Sequence, residues 1–241
     1  MNRLKGKIVL VTGAAGAIGS AIADAIQDQG GTAITSDLAG RGNAAHALDV
    51  TSEADWLRVI AAIEQKSGRL DGLVNAAGIV AVGSVEDTGF ETWRRVMAVN
   101  LDGTFLGCKY AMRLMRRSGG SIVNMSSVSG LVGGHNLAAY NASKGGVRLL
   151  SKSVALYGAR LKPPVRCNSV HPAFIEGPLV DGLMSQVRDP VTARDRMTAM
   201  VPLGRFGTPA EVADLCVYLL SGESAFVTGA ELTLDGGLTA Q

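Results

Sequence analysis

A glycine-rich turn near the amino terminus, set between an apolar segment and an amphipathic one, most constrains the fold of this chain. The segment Lys7–Val11 has the composition of a buried strand, and residues 17–29 have the spacing of a helix. Between them, Gly13-Ala14-Ala15-Gly16-Ala17-Ile18-Gly19 lets the backbone turn tightly and approach a pyrophosphate at the helix amino terminus. Asp37 follows the next predicted strand, where a carboxylate accepts hydrogen bonds from an adenosine ribose. These features predict a dinucleotide-binding β-α-β unit.

Strand-like and helix-like segments alternate along all 241 residues. Such alternation predicts a parallel sheet with helices on both faces. We therefore expect residues 1–241 to form a single-domain α/β fold, a Rossmann-like, doubly wound parallel sheet of seven strands. The predicted strands are Lys7–Val11, Thr32–Ser36, Ala44–Leu48, Gly72–Asn75, Ser121–Met125, Val165–Val170 and Glu231–Leu234. The predicted helices are Ala17–Gln29, Glu53–Lys66, Glu91–Arg117, Ala138–Leu161 and Pro209–Leu220.

Two segments interrupt this alternation. Only residues 38–43 separate Asp37 from the third predicted strand, fewer than the dozen or so that a helical crossover takes, so we expect a stub or a loop.

The segment from Pro172 to Phe206 is broken by prolines, and long segments of this kind often form lids. We expect a substrate-binding lid at about 174–206; the alternative is a surface helix pair that packs its own apolar face. The apolar residues of the segment include Phe174, Leu179, Val180, Leu183, Met184, Met197 and Met200.

Charge and cysteine usage narrow the classes of function. Lys and Arg number 23 against 21 Asp and Glu, which gives no electrostatic basis for binding nucleic acid or a membrane surface. No uncharged segment reaches the roughly 20 apolar residues of a membrane span without interruption by glycines. The three cysteines have neither metal-binding nor redox spacing, and no His/Cys/carboxylate cluster indicates a metal. We expect reduced thiols, no metal site and a cytoplasmic protein.

A tyrosine and a lysine form a second constellation. Tyr140 and Lys144 are four positions apart in a predicted helix and therefore share a face. A nearby ammonium group favours phenolate and lowers a tyrosine pKa from about 10 toward neutrality. Tyr140 is thus expected to act as a general acid and base. The alternative is an ordinary helix surface on which the pair has no chemical role.

The charge around Asp37 indicates which dinucleotide binds. Its carboxylate would repel the 2′-phosphate of NADP, and residues 14–17 and 38 include neither Arg nor Lys. We therefore expect NAD as the cofactor. Arg41 keeps the alternative open, because a short flexible loop can bring its guanidinium to a phosphate.

With these motifs in order, the chain resembles the short-chain dehydrogenases/reductases over essentially its whole length. Residues 12–19 match the family's T-G-x-x-x-[AG]-x-G, and residues 75–78 match its N-[NA]-A-G. Asn100 corresponds to the family's helix asparagine, and Ser127 precedes Tyr140 by the family's 13 residues. Asp49-Val50 matches the acidic–apolar pair that contacts adenine.

The resemblance implies roles for four catalytic residues. Tyr140 gives a proton to the carbonyl oxygen in reduction and takes it from the alcohol in oxidation. Lys144 holds the nicotinamide ribose and lowers the tyrosine pKa, while Ser127 hydrogen-bonds the substrate oxygen. Asn100 holds a water that links Lys144 to solvent, or is structural and bridges a helix kink. The implied cofactor-binding residues are Gly13, Gly16, Ala17, Ile18, Gly19, Asp37, Leu38, Asp49, Val50, Asn75, Ala76, Ala77, Gly78, Tyr140, Lys144, Pro172, Ala173 and Ile175.

Three polar residues near these motifs have plainer interpretations. Ser126 adjoins Ser127, and the choice of Ser127 rests on spacing alone. A lone histidine such as His135 is expected to be a solvated loop residue. His171 precedes Pro172 at a strand end, and we expect it to pack or to bond the backbone.

One segment departs from the family pattern P-G-x-[IV]-x-T. The chain reads Pro172-Ala173-Phe174-Ile175-Glu176-Gly177. Gly177 stands where a threonine hydroxyl bonds the nicotinamide carboxamide, so one hydrogen bond, worth about 0.5–1.5 kcal/mol, is expected to be missing. Backbone groups of Ile175 can still hold the carboxamide. We expect weaker nicotinamide binding and an intact catalytic set.

The favoured function is that of an NAD-dependent alcohol dehydrogenase/ketone reductase. Its small-molecule substrate is expected to be an apolar secondary alcohol or ketone, alicyclic or steroid-like, because flexible methionines accommodate bulky apolar ligands. A 3-oxoacyl-carrier-protein reductase is the alternative, which Asp37 disfavours because that activity usually uses NADPH. A dinucleotide-binding scaffold without turnover is disfavoured by the four catalytic residues. The family is commonly tetrameric, so we also expect a homotetramer.

Overall fold

The computed structural model describes residues 2–185 and 188–241. In these residues seven parallel strands form one sheet in the order β3-β2-β1-β4-β5-β6-β7. The predicted single-domain α/β architecture is therefore confirmed. The strands are β1 (Ile8–Thr12), β2 (Thr32–Asp37), β3 (His46–Ala47), β4 (Gly72–Asn75), β5 (Gly120–Met125), β6 (Val165–Pro172) and β7 (Glu231–Leu234).

Helices cover both faces of the sheet, as predicted. Capping residues define where several of these helices begin and end. Ser52 caps the start of the helix that follows β3, and Gly68, in the left-handed conformation, ends it. Thr208 and Glu211 form a capping box at the start of the last helix. The helices are α1 (Ala17–Asp28), α2 (Glu53–Ser67), α3 (Phe90–Met97), α4 (Gly103–Met115), α5 (Ala138–Gly158), α6 (Pro178–Met184), α7 (Pro190–Ala199) and α8 (Pro209–Leu220).

Two apolar cores hold the helices against the sheet. On one face, α2, α4 and α5 pack on the strands around Trp56, Met115 and Ile122, all fully buried. On the other face, α1 and α8 pack around Ile22 and Val217. Strands buried on both faces read as continuous apolar runs, which is why their sequence positions were predictable.

Several element bounds differ from the predictions. The third strand is only His46–Ala47, because most of residues 38–45 form turns, and the predicted loop before it is confirmed. The single helix predicted over 91–117 is instead α3, a π-helical turn at Ala98–Asp102, and α4. In that turn the Gly103 N–H bonds the Ala98 carbonyl, one residue further back than in an α-helix.

The segment predicted as a lid contains α6 and α7 and is not wholly irregular. Prolines begin both helices, at Pro178 and Pro190, where a missing N–H costs no hydrogen bond. Its two ends are joined, since the Gly207 N–H donates to the Phe174 carbonyl at 2.9 Å and the Glu176 N–H donates to the Gly207 carbonyl at 2.9 Å. Gln186 and Val187, also part of the predicted lid, lie outside the described residues.

Candidate active site

The carboxyl ends of β1 and β4 meet where the strand order reverses, which is where open parallel sheets bind ligands. Thr12, at the end of β1, accepts hydrogen bonds at Oγ1 from the Ala76 and Ala77 N–H groups, each at 3.2 Å. The segment Asn75–Gly78, predicted to bind the cofactor, is thereby held beside the glycine turn.

The glycine turn is too crowded for side chains where it approaches β4. A Cβ on Gly13, whose φ is +68°, would lie 2.7 Å from the Ala77 nitrogen, and one on Gly19 would lie 2.2 Å from the Gly13 carbonyl oxygen. Gly16 caps α1 without a side chain, so the Ala17 and Ile18 N–H groups point out of the helix end unobstructed. The turn therefore fits the pyrophosphate of a dinucleotide.

Asp37 is buried at the end of β2 and faces the glycine turn. Its carboxylate accepts the Ala15 N–H at 2.9 Å and the Leu38 N–H at 2.8 Å. Each carboxylate oxygen retains a lone pair beyond these bonds, so ribose hydroxyls can still donate to it. The predicted sugar-binding carboxylate is thus placed against the pyrophosphate turn.

The predicted adenine pair lies just after β3, the strand that pairs with the one ending at Asp37. The Leu48 N–H donates to the Asp37 carbonyl at 2.7 Å, which brings Asp49 and Val50 to the same edge of the sheet. Asp49 is exposed and its Oδ1 accepts the N–H and the hydroxyl of Thr51, whereas Val50 is buried. Val50 is therefore part of the packed interior, and Asp49 lies at the surface.

Tyr140 and Lys144 lie on one face of α5, as their spacing predicts. The Lys144 Nζ is 5.7 Å from the centroid of the Tyr140 ring and donates to the Met125 carbonyl at 2.8 Å. The Ser127 side chain, just after β5, acts on the Tyr140 phenol and lowers its pKa. The predicted serine, tyrosine and lysine are thus brought together at the end of the central strands.

Burial dominates the pKa values of this pair. It raises the pKa of the Tyr140 phenol above its usual 10, and hydrogen bonding by Ser127 only partly opposes this. Burial lowers the pKa of the Lys144 ammonium to about 8. The predicted lowering of the Tyr140 pKa is therefore wrong for this geometry, because burial outweighs the effect of Ser127 and the Lys144 Nζ donates to the Met125 carbonyl instead.

Asn100 lies fully buried in the π-helical turn and bridges it to the loop after β4. Its Oδ1 accepts the Ile79 N–H, and its Nδ2 donates to the Ile79 carbonyl, both at 2.9 Å. Nδ2 also donates to the Ser143 hydroxyl at 3.0 Å. Gly78 lies between Asn100 and Lys144, since a Cβ there would be 3.3 Å from the Asn100 Oδ1 and 3.5 Å from the Lys144 Nζ. These contacts match the structural alternative for Asn100; the water relay stays a prediction.

The two adjacent serines have different surroundings. The Ser126 hydroxyl donates to the Lys144 carbonyl at 2.9 Å, so this residue ties β5 to α5. The Ser127 Oγ accepts the Ser129 N–H at 3.1 Å and lies 3.4 Å from the Pro172 carbonyl. The choice of Ser127 over Ser126 was made from spacing, and the geometry supports it. His135 is exposed.

The segment after β6 lies across from the glycine turn. The Ala173 N–H donates to the Leu234 carbonyl at 3.1 Å, and Ile175 is buried. Gly177 has a φ of +138°, and a Cβ on it would lie 2.9 Å from the Ala17 Cβ. A threonine therefore cannot replace Gly177 in this backbone conformation, which explains the departure from the family pattern.

The base of the lid is closed by aromatic and ionic contacts. The Phe174 and Phe206 rings are 5.5 Å apart, and the Arg194 guanidinium lies 4.5 Å from the Phe206 ring and 3.3 Å from the Glu176 carboxylate. A cavity of about 340 Å³ lies beneath, lined by Phe174, Val201 and Leu203 among others. None of the four predicted catalytic residues lines this cavity, but Ala173, which is predicted to bind the cofactor, does.

Among the described residues, no three His, Cys, Asp or Glu side chains lie close enough together to hold a metal ion. Within residues 2–185 and 188–241, none of the helices has the length and apolar character to cross a membrane.

Several supporting contacts were missed by sequence reasoning. Thr12, the first residue of the matched glycine motif, and Ser143 hold distant segments together through hydroxyl contacts that no sequence pattern indicates. His171 donates to the Ser127 carbonyl, a backbone contact of the kind expected for it but to an unforeseen partner. The close approach of Gly177 to Ala17 was partly indicated by the sequence. Gly177 comes immediately before Pro178, the first residue of a helix, and a glycine in that place often marks an unusual turn.

Comparison with known proteins shows similarity over nearly the whole chain. A family model described as enoyl-(acyl carrier protein) reductase matches residues 13–239. The NADP-dependent (R)-specific alcohol dehydrogenase of Lentilactobacillus kefiri is 43% identical, over 100% of this chain and 99% of the relative. The cyclopentanol dehydrogenase of Comamonas testosteroni is 38% identical over 100% of both chains.

A solved structure extends the comparison to three dimensions. The ligand-free aldohexose dehydrogenase of Thermoplasma acidophilum superposes with a TM-score of 0.93 and is 37% identical, covering 100% of this chain and 96% of the other. The activities for which the three proteins are named differ in substrate.

Proposed function

The chain belongs to the short-chain dehydrogenase/reductase family, and from that premise we propose that it is an NAD-dependent oxidoreductase of apolar secondary alcohols and ketones. The family relationship supports an oxidoreductase acting on CH–OH groups. The observation that carries the proposal further is the convergence of Ser127, Tyr140 and Lys144 at the carboxyl ends of the central strands.

The chemistry of these residues follows from their positions. Tyr140 holds the proton that passes to the carbonyl oxygen in reduction and returns from the alcohol in oxidation. Ser127, whose side chain acts on the Tyr140 phenol, donates to the same oxygen as negative charge develops there. Lys144 places a positive charge beside the phenol when protonated. A bound nicotinamide supplies or accepts the hydride.

The cofactor proposal is NAD, and Asp37 supports it. The buried carboxylate faces the glycine turn, where a 2′-phosphate would meet negative charge. The NADP dependence of the Lentilactobacillus relative favours the other cofactor. Arg41 is the residue through which NADP would be held, since it lies in the exposed turn whose Gly42 approaches Ala15 of the glycine turn.

The substrate proposal is an alicyclic or steroid-like alcohol. The lid exposes Leu179 and Met200 and leaves Leu183, Met184 and Met197 partly exposed, so apolar surface is available for a ligand to cover. The cyclopentanol dehydrogenase relative supports an alicyclic substrate. The aldohexose dehydrogenase defines the polar alternative.

We further propose a cytoplasmic homotetramer. The three cysteines are buried free thiols, as in reducing compartments. On α5, Leu149 and Leu156 are 66% and 72% exposed and lie two turns apart on one face. A second copy of the chain would cover this face.

The test is a turnover assay with NAD⁺ and NADP⁺ across cyclopentanol, cyclohexanol, hydroxysteroids and an aldohexose, followed by absorbance at 340 nm. We expect NAD-dependent turnover that rises with the apolar bulk of the alcohol. Turnover with NADP⁺ alone would reject the proposal that Asp37 selects NAD and would favour Arg41 as the residue that holds the 2′-phosphate. Preference for the aldohexose would reject the apolar substrate, and NADPH-dependent reduction of an acetoacetyl thioester would favour the acyl-carrier reductase.

A further inference from the structure

His171 is a buried polar residue next to Ser127, and it has no role in the proton and hydride transfers proposed above. It is fully buried near the carboxyl end of β6, and both ring nitrogens have partners. Nδ1 is 3.0 Å from the Ser127 carbonyl oxygen, and Nε2 is 2.9 Å from the Ser169 hydroxyl. The imidazole therefore connects β6 to the turn that carries Ser127.

The partners determine the tautomer of this imidazole. The Ser127 carbonyl can only accept, so Nδ1 must carry the proton. Nε2 is then the acceptor, and the Ser169 hydroxyl donates to it. The resulting chain runs in one direction, from the Ser169 hydroxyl through the ring to the Ser127 carbonyl.

Backbone pairing between β5 and β6 ends just before the catalytic serine. Met125 and Val170 are the last paired residues, and the Ser126 N–H still donates to the Val170 carbonyl at 2.8 Å. The Ser127 carbonyl accepts the Gly130 N–H at 2.9 Å, but that bond lies within the turn itself. The His171 bond is the one that ties this carbonyl to β6.

A second anchor holds the same turn to α5. The Ser126 hydroxyl donates to the Lys144 carbonyl, and a Cβ on Gly130 would lie 2.7 Å from that carbonyl oxygen. Ser127 therefore lies between an anchor to the helix of Tyr140 and Lys144 and an anchor to β6. The serine side chain is short, so the backbone position of Ser127 determines where its hydroxyl lies relative to Tyr140. These two anchors set that backbone position.

We propose that His171 is a positioning residue for Ser127, whose hydroxyl it aligns with the substrate oxygen by donating from Nδ1 to the Ser127 carbonyl. This deepens the proposed function and rests on it, because the effect of His171 on turnover passes through the role assigned to Ser127. His171 itself contacts none of the reacting groups in this arrangement.

The surroundings favour the neutral imidazole that this role uses. Burial lowers the pKa of His171, and the charges of Arg148 and Lys144 act in the same direction. The bond to Ser127 and the carboxylate of Glu231 oppose them. Glu231 is itself paired with Arg148 and Lys152, each at 2.8 Å.

Two substitutions separate the two nitrogens of the ring. In His171→Asn the amide nitrogen takes the place of Nδ1 and can still donate to the Ser127 carbonyl. In His171→Gln the longer side chain places its amide near Ser169, and the Ser127 bond is lost. Both variants are polar, so a merely structural role predicts that they behave alike.

The probe reaction is cyclohexanone reduction with the preferred nicotinamide cofactor. We expect His171→Gln to lower kcat by about 10- to 100-fold, as misplacement of a catalytic group does, with little change in KM or in cofactor affinity. His171→Asn should recover most of the parent kcat. In a Ser127→Ala background, His171→Gln should cause no further loss, because residues that act through one another are not additive.

The outcomes distinguish this inference from the proposed function. If Ser127→Ala lowers kcat while His171→Gln does not, or if the two losses multiply independently, the inference is overturned and the function stands. If Ser127→Ala has the parent kcat, or if the parent does not reduce cyclohexanone, the failure belongs to the proposed function.

A measurement that needs no turnover tests the geometry. ¹⁵N NMR of histidine-labelled protein, with the His171→Asn variant for assignment, should show a protonated Nδ1 and an unprotonated Nε2 at neutral pH. An unprotonated Nδ1 would overturn the inference whatever the kinetics show.

Discussion

At Tyr140, burial and the Ser127 side chain act on the pKa of the phenol in opposite directions. Spacing brings Lys144 onto the same helix face, yet its Nζ donates to the Met125 carbonyl and lies 5.7 Å from the ring centroid. Desolvation therefore raises the pKa of Tyr140 and lowers that of Lys144 to about 8. The phenol is protonated at neutral pH, which is the state that a proton donor for ketone reduction requires.

Tyr140→Phe is expected to lower turnover by about 100- to 10,000-fold, the usual contribution of a general acid or base. Cofactor affinity should change little, since only the hydroxyl is removed. Steady-state kinetics and a fluorescence titration with NADH measure the two effects. Tyr157→Phe is the matched control, because the Tyr157 hydroxyl bonds Arg116 away from the site. Retained turnover in Tyr140→Phe would reject the assignment.

Ketone reduction is expected to weaken as pH rises through about 8. Below this value Lys144 carries its positive charge, and above it the charge is lost. The plot of kcat/KM against pH reports the pKa values of the free enzyme. Lys144→Arg, which stays protonated in this range, should move the fall to higher pH. A parent profile that is flat from pH 7 to 10 would contradict the expectation.

At the scale of elements, α6 begins against the glycine turn. Gly177 precedes Pro178 with a φ of +138°, and its Cβ position is 2.9 Å from the Ala17 Cβ. The predicted lid is therefore in contact with the proposed pyrophosphate site. Arg194 links its two ends, because it stacks on Phe206 and pairs with Glu176.

Gly177→Ala is expected to move the start of α6 away from Ala17 and to weaken NADH binding by about 10-fold, since a strained backbone of this kind costs roughly 1–3 kcal/mol. Gly182→Ala is the matched control in the same helix, where a Cβ meets no atom of the described residues within 4 Å. Calorimetric titration of both variants measures the difference. Equal affinity would show that the contact does not shape the cofactor site.

At the scale of the whole molecule, the apolar face of α5 bears on assembly. Leu149 and Leu156 are largely exposed on it, and Phe105 on α4 is 49% exposed. Contiguous exposed apolar surface commonly marks an interface between proteins.

Leu149→Glu/Leu156→Glu is expected to break the proposed homotetramer, because each substitution places a charge in an interface that excludes water. Light scattering after size-exclusion chromatography should give four times the 24.9 kDa chain mass for the parent and less for the variant. Val191→Glu, at an exposed apolar residue of α7, serves as the control. A monomeric parent would reject the tetramer.

The sequence by itself determined the order of the elements, the glycine turn, Asp37 and the spacing of Ser127, Tyr140 and Lys144. These are local properties: apolar periodicity, β-branched runs and i,i+4 neighbours are visible along the chain. Even the loop over residues 38–43 followed from length alone.

Only the tertiary structure decided the pKa directions of Tyr140 and Lys144, the bridge from Asn100 to Ile79, the break in the predicted helix and the contact of His171 with Ser127. Each depends on desolvation or on hydrogen bonds between segments far apart in the chain. Burial and long-range contacts exist only once the sheet has assembled, so no local pattern reports them.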